Sequence, residues 1–436
     1  MNKYLANLGI KELNEMQKES LQVSKESNNV LLLSPTGSGK TLGFLLPLMN
    51  RLNNSNNIDG IKALIIAPSR ELAIQIEKVF KQLGSSYKSA CFYGGHEYRI
   101  ELNSLRELPQ VLIGTPGRLV DHLNKGNIDL GSIETLICDE FDKSLEFGFE
   151  PDIKCLVKEL DIVEHVCLTS ATQAIEVPRF IPFNDYTKID YLHTFKASKF
   201  SYHIVRSVET DKAEALVQLI CQLDNESTLV FCNHREAVTR LGELMDDSGI
   251  FYAEFHGGLK QDEREKSLFK LKNGTVNTLL CTDLASRGLD ISGIKNIIHY
   301  QIPTTEDSYV HRNGRTARVD ESGVVYFVLS EKEYLPDFVD ASNVTVKKLS
   351  DDYFIPSKPE WETIFINAGK KDKINKVDIV GTFYKQGGLE KNELGLIEVK
   401  DHQSLVAVSR KKVNTVLANL KGLPIKKKKV FISVAT

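Results

Sequence analysis

The feature that most constrains the fold is an apolar run, Val-Leu-Leu-Leu at 30–33, that opens into Ser34-Pro35-Thr36-Gly37-Ser38-Gly39-Lys40-Thr41. The apolar pattern LGFLLPLM follows at once. A strand, a glycine-rich turn and a helix in that order make a phosphate-binding loop. Gly37 and Gly39 let backbone N–H groups approach an anion, and the helix N-terminus adds positive potential. Lys40 can reach terminal phosphates, and the Thr41 hydroxyl can ligate a divalent cation. Ser34 stands where such loops usually begin with glycine. A plain glycine turn before a core helix would not need Gly-Lys-Thr at the helix start.

A second apolar run, Leu136-Ile137-Cys138, ends in Asp139-Glu140-Phe141-Asp142. Open α/β sheets place ligands at the carboxyl ends of their strands. Asp139 therefore suits a metal sphere, and Glu140 suits orienting or deprotonating a water. An acidic strand end alone is usually a solvated loop. Beside a phosphate loop, the catalytic reading is the stronger.

Short β-branched runs alternate with amphipathic stretches through most of the chain, at 30–34, 63–69, 110–115, 135–140 and 165–171, and again at 227–233, 251–257, 276–283, 296–302 and 324–330. This alternation predicts parallel sheets with crossover helices. A polar break at 185–199 divides it into two α/β domains, expected at 1–193 and 202–346. After a linker near 347–359, a small α+β module is expected at 361–436. No run of about 18 apolar residues occurs, so no membrane span is expected. The start, MNKYLANLGI, has no secretory character, and the seven scattered cysteines form no CxxC pair. Free buried thiols in a cytoplasmic protein are expected. Residues 361–436 hold 15 Lys+Arg against 7 Asp+Glu, a net +8, whereas residues 1–360 carry net −11. A basic module on an acidic body suits a polyanion or is a lysine-rich solvated face.

Further motifs resemble the DEAD-box helicases. Asp139–Asp142 reads DEFD, and Ala67-Pro68-Ser69-Arg70-Glu71-Leu72, Gly94-Gly95, Thr115-Pro116-Gly117-Arg118 and Ser170-Ala171-Thr172 follow the family's order. So do Leu229–Asn233, His256-Gly257-Gly258 with Gln261 and Arg264, Thr282–Asp290 and His311–Arg318. The resemblance implies two tandem RecA-like P-loop domains that hydrolyse Mg-ATP (cofactors ATP and Mg2+) and remodel RNA. It implies that Gln17 reads adenine, although Leu13-Asn14 stands where the family has Pro-Thr. It also implies that Arg315 and Arg318 are arginine fingers and that Asp290 contacts ribose. Ser170, Thr172, Asp142 and His311 would couple nucleotide state to domain closure. RNA would be met by Arg70, Gly95, Thr115, Arg118, Gly258, Arg264, Thr282 and Arg287. An ATP-gated RNA clamp would keep the same motifs, and a DNA helicase fits their wording less well.

Residues 363–435 resemble the RRM-like RNA-binding domain of DbpA-like helicases through Gly369-Lys370-Lys371-Asp372-Lys373-Ile374, Asp378-Ile379-Val380-Gly381, Leu394-Gly395-Leu396-Ile397 and Asp401-His402-Gln403-Ser404. That resemblance implies a large-subunit ribosomal RNA hairpin as target, ribosomal assembly particles as partners and action as a monomer. The stretch 394–399 has no aromatic ring, so stacking on the sheet face is not expected. RNA contact would fall to Lys370, Lys371, Lys373, Arg410, Lys411 and Lys412. Lys426–Lys429 reads as a solvated turn.

Overall fold

The computed structural model describes residues 2–35, 37–55, 59–172, 176–192, 200–208, 211–286, 293–316 and 322–435. They fall into two compact units that divide near residue 198.

The first unit is built on β1 (Asn29–Leu33), β2 (Ala63–Ile66), β3 (Ser89–Phe92), β4 (Val111–Gly114), β5 (Thr135–Cys138), β6 (His165–Ser170) and β7 (Thr187–Asp190). Their order is β3-β4-β2-β5-β6-β1-β7, and every pairing is parallel. Successive strand residues feed opposite faces. Leu32, Ile65, Ile113 and Ile137 enter one core layer. Leu31, Leu64, Leu112 and Leu136 enter the other. Helices cover both faces, which is why the central strands read as continuous apolar runs. Thr187–Asp190 lies inside the segment expected to be an irregular break. It is an edge strand with one buried residue, Ile189, so it lacks the apolar signature of a central one.

The second unit repeats the plan with β8 (Phe200–Arg206), β9 (Thr228–Phe231), β10 (Tyr252–Phe255), β11 (Thr278–Cys281), β12 (Asn296–His299), β13 (Gly323–Leu329) and β14 (Val344–Val346). The order β10-β11-β9-β12-β13-β8-β14 is the first sheet's order advanced by seven. Two domains of one topology thus stand in tandem.

The same unit contains a four-stranded antiparallel sheet, ordered Leu394–Val399, Ser404–Ser409, Trp361–Ile366, Ile432–Val434. Helices Lys376–Lys385 and Val413–Leu420 complete a βαββαβ module. Ile364, Ile366, Val406 and Val408 point into its core with Ile379, Phe383 and Val416. The opposite sheet face does not meet solvent in full. Leu405 and Ala435, with Phe365 against them, pack on Phe269 of helix Gln261–Lys272. Asn273 Nδ2 donates to Thr363 Oγ1 at 2.9 Å, and the Thr275 and Thr363 hydroxyls lie 2.8 Å apart. Lys400 bridges to Glu265. The small module is therefore docked on the second parallel-sheet domain.

Six of the seven free thiols are buried, and Cys155 is half-buried. Among the described residues no helix is long and apolar enough to cross a membrane.

Candidate active site

The phosphate loop leaves β1 between two neighbours. Ser34 N–H donates to Ser170 O at the end of β6, and Asp139 N–H donates to Ile66 O beside β5. The order β5-β6-β1 thus gathers the acidic motif, Ser170 and the loop at one carboxyl edge. Gly37 and Gly39 have φ of +83° and +89°, which favour residues without a Cβ. At Gly39 a Cβ would also meet Gln17 Nε2 at 2.5 Å. Helix Lys40–Asn54 starts immediately after. Lys40 is buried, and its ammonium donates to Ser34 O at 2.5 Å and Pro35 O at 3.0 Å. Thr41, in the first turn, is half-buried. Thr36 lies outside the described residues.

Gln17 is buried against this loop. Its Nε2 donates to Gly39 O at 3.2 Å, and its Oε1 accepts from Asn14 N–H at 3.1 Å. Asn14 caps helix Glu15–Glu26 in a reciprocal box with Gln17, and Asn14 Nδ2 donates to Ser38 O at 2.8 Å. The departure from Pro-Thr thus keeps a working cap. The Asn-x-x-Gln spacing carried that signal in the sequence. Each amide atom of Gln17 retains a further hydrogen-bonding position, enough to offer adenine one donor and one acceptor.

Asp139 is fully buried. Its Oδ1 accepts from Thr169 Oγ1 at 2.5 Å and from Glu140 N–H at 3.1 Å. Burial, reinforced by the neighbouring Glu140 charge, pushes the Asp139 carboxyl up to about 6, against the pull of Thr169 and Lys40. Thr169 was not picked out in the sequence because it reads as an ordinary strand residue. Glu140 has φ +47° and ψ +52°, a left-handed conformation costing a non-glycine residue about 1 kcal/mol or more. Its side chain is 4% exposed. Glu140 Oε2, Ser34 Oγ and Ser38 Oγ are buried without a hydrogen-bond partner among the described residues. Buried polar atoms normally have partners, so three unsatisfied ones around a phosphate loop mark a ligand site. Thr172 Oγ1 donates to Asp142 at 3.1 Å, and Thr172 N–H donates to Ser170 Oγ at 2.9 Å. The motif after β6 is thereby tied to the acidic motif after β5.

A carboxyl that holds its proton more tightly in the folded state favours folding at low pH. That advantage disappears as pH climbs from the unfolded value through the folded one. Relative to Asp139→Asn, the wild-type chain should lose about 1–2 kcal/mol of stability between pH 5 and pH 7. Urea unfolding of both proteins at several pH values measures this, and parallel curves would contradict it.

The edge β3-β4-β2 of the same sheet collects the other first-unit motif residues. Arg70 begins helix Arg70–Gln82, with its guanidinium beside Gly94, and Gly95 turns at φ +86°. Thr115 precedes helix Pro116–Asn124, which carries Arg118. Arg118 donates to Glu101 at 2.7 and 2.8 Å. Glu101 was not singled out from the sequence. It is buried, accepts from Tyr93 N–H at 3.1 Å, and has His122 Nε2 at 2.9 Å. Burial pushes its carboxyl up, but hydrogen bonds from His96, Arg118, His122 and Tyr93 outweigh this and hold it low. One carboxylate thus fixes the Gly-Gly loop against the Arg118 helix.

In the second unit Gly258 N–H donates to His256 Nδ1 at 3.1 Å, and Arg264 is buried near the Phe255 ring. Thr282 follows β11 and is half-buried. His311 and Arg315 are buried at helix Glu306–Asn313 and just beyond it. Arg287, Asp290 and Arg318 lie outside the described residues. Arg312, given no role from the sequence, is wholly buried. It bonds Asp283 at 2.6 and 3.1 Å, Gln301 O at 2.8 Å and Asn233 Oδ1 at 2.7 Å. Its guanidinium lies 5.3 Å from the Phe231 ring centre.

In the C-terminal module Lys370, Lys371, Lys373 and Lys411 are exposed, and Lys412 pairs with Glu393 at 3.1 Å. Arg410 differs from the expectation. Its guanidinium bonds Pro359 O at 2.7 Å, Trp361 O at 2.8 Å, Thr275 O at 3.3 Å and Glu362, and lies 4.7 Å from the Phe251 ring centre. Five donors in a fixed fork suit such a staple between module and domain.

Three family models match: "DEAD/DEAH box helicase" over 14–180, "Helicase conserved C-terminal domain" over 211–320 and "DbpA RNA binding domain" over 363–434. The chain is 30% identical to ATP-dependent RNA helicase DbpA of Bacillus subtilis, across 99% of this chain and 96% of that one. It is 34% identical to ATP-dependent RNA helicase CshA of Limosilactobacillus reuteri, across 82% of this chain and 71% of that one. S. cerevisiae Dbp5 bound to RNA and ADP BeF3 shares the fold, with TM-score 0.66 and 24% identity over 76% of this chain and 87% of that one. A phosphate loop, an acidic strand end and a tandem repeat of one parallel-sheet topology thus coincide with relatives along the whole chain, which belongs to the DEAD/DEAH box family of ATP-dependent RNA helicases, with a DbpA-type RNA-binding domain.

Proposed function

We propose that this helicase uses its C-terminal module to engage large-subunit ribosomal RNA and spends ATP on remodelling it during assembly of that subunit. The observation that carries the reading is the DbpA-type module at 363–434, docked on the second parallel-sheet domain through Arg410, Thr363 and Phe365. A module held in this way fixes where a bound RNA enters relative to that domain.

The residues at the first sheet's carboxyl edge fit the hydrolytic step. Lys40 turns from the loop carbonyls to the β- and γ-phosphates, and the N–H groups of the loop hold the remaining oxygens. Asp139 and Thr41 fit Mg2+, whose charge when bound would neutralise the phosphate oxygens. The Glu140 carboxylate orients the attacking water and accepts its proton, a role its partnerless Oε2 suits. Gln17 selects adenine beside Gly39. Arg315 and Arg318 supply transition-state charge, and Asp290 holds the ribose. Those three roles rest on motif wording. Arg70, Gly95, Thr115, Arg118, Gly258, Arg264, Thr282 and Arg287 contact the sugar-phosphate backbone, which positions RNA without reading its sequence.

A panel of large-subunit ribosomal RNA fragments and unrelated RNAs of equal length tests the proposal in the ATPase assay. At least one ribosomal fragment should half-stimulate turnover at a concentration ~10-fold lower than unrelated RNA, about 1.4 kcal/mol of preference. Equal half-stimulation across the panel would remove the ribosomal target.

A further inference from the structure

The C-terminal module carries a surface that the motif reading passed over as a solvated turn. The strands Pro424–Ile425 and Lys428–Lys429 form a hairpin whose two corner residues are Lys426 and Lys427. Their φ values are +48° and +70°. Such corners favour Asn-Gly, because a side chain in the left-handed region is strained. Lys373, in the neighbouring turn, has φ +59°. Three of the six non-glycine residues with positive φ among the described residues are therefore lysines of this one surface. Backbone strain of this kind persists where the surrounding structure enforces it, and it gathers at ligand sites.

The hairpin lysines divide into two sets. Lys426 Nζ donates to Lys373 O at 3.2 Å and lies 3.3 Å from Asp378, and Lys428 pairs with Asp372. Those two tether the hairpin to the 370–373 turn. Lys427 and Lys429 are exposed, as are Lys370, Lys371 and Lys373. Next to them stands Phe431, 62% exposed, although its neighbour Val430 is buried in the module's core. The backbone beneath the ring is fixed. Phe431 N–H donates to Asn367 Oδ1 at 2.6 Å, and Asn367 N–H donates to Phe431 O at 3.1 Å. A bare aromatic ring on an anchored backbone, on a module surface that also exposes these five lysines, matches one ligand chemistry. The ring stacks a base, and the lysines take the adjoining phosphates. The sheet face that would otherwise offer stacking is packed in part on Phe269 of the neighbouring domain.

We propose that Phe431 is a nucleobase-stacking platform for single-stranded RNA, with Lys427, Lys429 and the 370–373 lysines as its phosphate contacts. The proposal rests on the reading that this module binds RNA, and it names the place where it does so.

The test uses the full chain and a labelled single-stranded RNA 12-mer of mixed sequence. The chain has a single tryptophan, Trp361, so Phe431→Trp adds one reporter on the exposed surface. RNA should quench the fluorescence added by Phe431→Trp. Phe431→Ala should weaken affinity roughly tenfold, as loss of one stacked base does, and Phe431→Trp should preserve it. The double variant Lys427→Ala/Lys429→Ala should reduce the slope of log affinity against log salt by about 1.4. Wild-type binding with no quenching in Phe431→Trp and unchanged affinity in Phe431→Ala would overturn the platform. Equal binding of ribosomal and unrelated RNA would instead refute the ribosomal target and leave the quenching result standing.

Discussion

Glu140→Gln is expected to cut RNA-stimulated ATP turnover by ~10²–10⁴-fold, the range for loss of a general base. The substitution keeps volume and shape at a buried position and leaves the strained backbone of Glu140 to the same kind of side chain. Folding and nucleotide binding should therefore survive, because Lys40 and the loop N–H groups are untouched. Single-turnover hydrolysis at saturating RNA, beside binding of a fluorescent ATP analogue, separates chemistry from affinity. A variant that binds nucleotide normally and still turns over at more than a tenth of the wild-type rate would remove Glu140 from the chemistry.

Arg312→Met should be the most damaging single change to the second unit. The guanidinium is wholly buried and bonds Asp283 twice, Gln301 O and Asn233 Oδ1. Methionine keeps much of the volume but removes both guanidinium bonds to Asp283 and the donor to Asn233 Oδ1. Asp283 is 31% exposed and keeps part of its solvation, so the loss should fall below the about 3–5 kcal/mol of a fully buried pair broken from one side. Arg312→Lys should restore only part of this, because one ammonium cannot reproduce a fork that serves four acceptor atoms. Denaturant unfolding measures the loss, followed with a probe confined to the second unit because a multidomain chain need not unfold in one step. A loss under about 1 kcal/mol would mean that the Asp283–Arg312 pair contributes little beyond a hydrophobic substitute.

The residues that the fold gathers at the carboxyl edge of the first sheet were mostly legible in the sequence. Gly37, Gly39, Lys40 and Asp139 are defined by local chemistry, namely a tight turn, a helix start and a strand end. What it left out are residues whose role depends on partners far along the chain. Thr169 is thirty residues from Asp139, and Glu101 reaches His122 across the end of a sheet. Arg312 stood in its motif without an assigned role, yet it is wholly buried and bonds four acceptor atoms. Arg410 reads as an RNA contact in a basic module, and the structure adds what the sequence did not show, the ring of Phe251 and the carbonyl of Thr275 beside it. Strands β3, β7, β8 and β14 lay outside the expected runs: β3, β7 and β14 are short edge strands, and β8 mixes polar and apolar residues with only Val205 buried. The sequence placed a small module after a linker but not the face on which it docks, since periodicity within a domain says nothing about which of its faces another domain will cover.

That docking changes what it means to call the C-terminal module an address label. A label can be peeled off one parcel and stuck on another. Here Ala435, at the very end of the described chain, packs on Phe269, more than 160 residues earlier. Removing the strand Ile432–Val434 together with Ala435 leaves Phe269 less covered. Grafting the module onto another helicase would transfer the RNA-binding domain but not its bearing, unless the recipient also carried counterparts of Phe251, Phe269, Asn273 and Thr275.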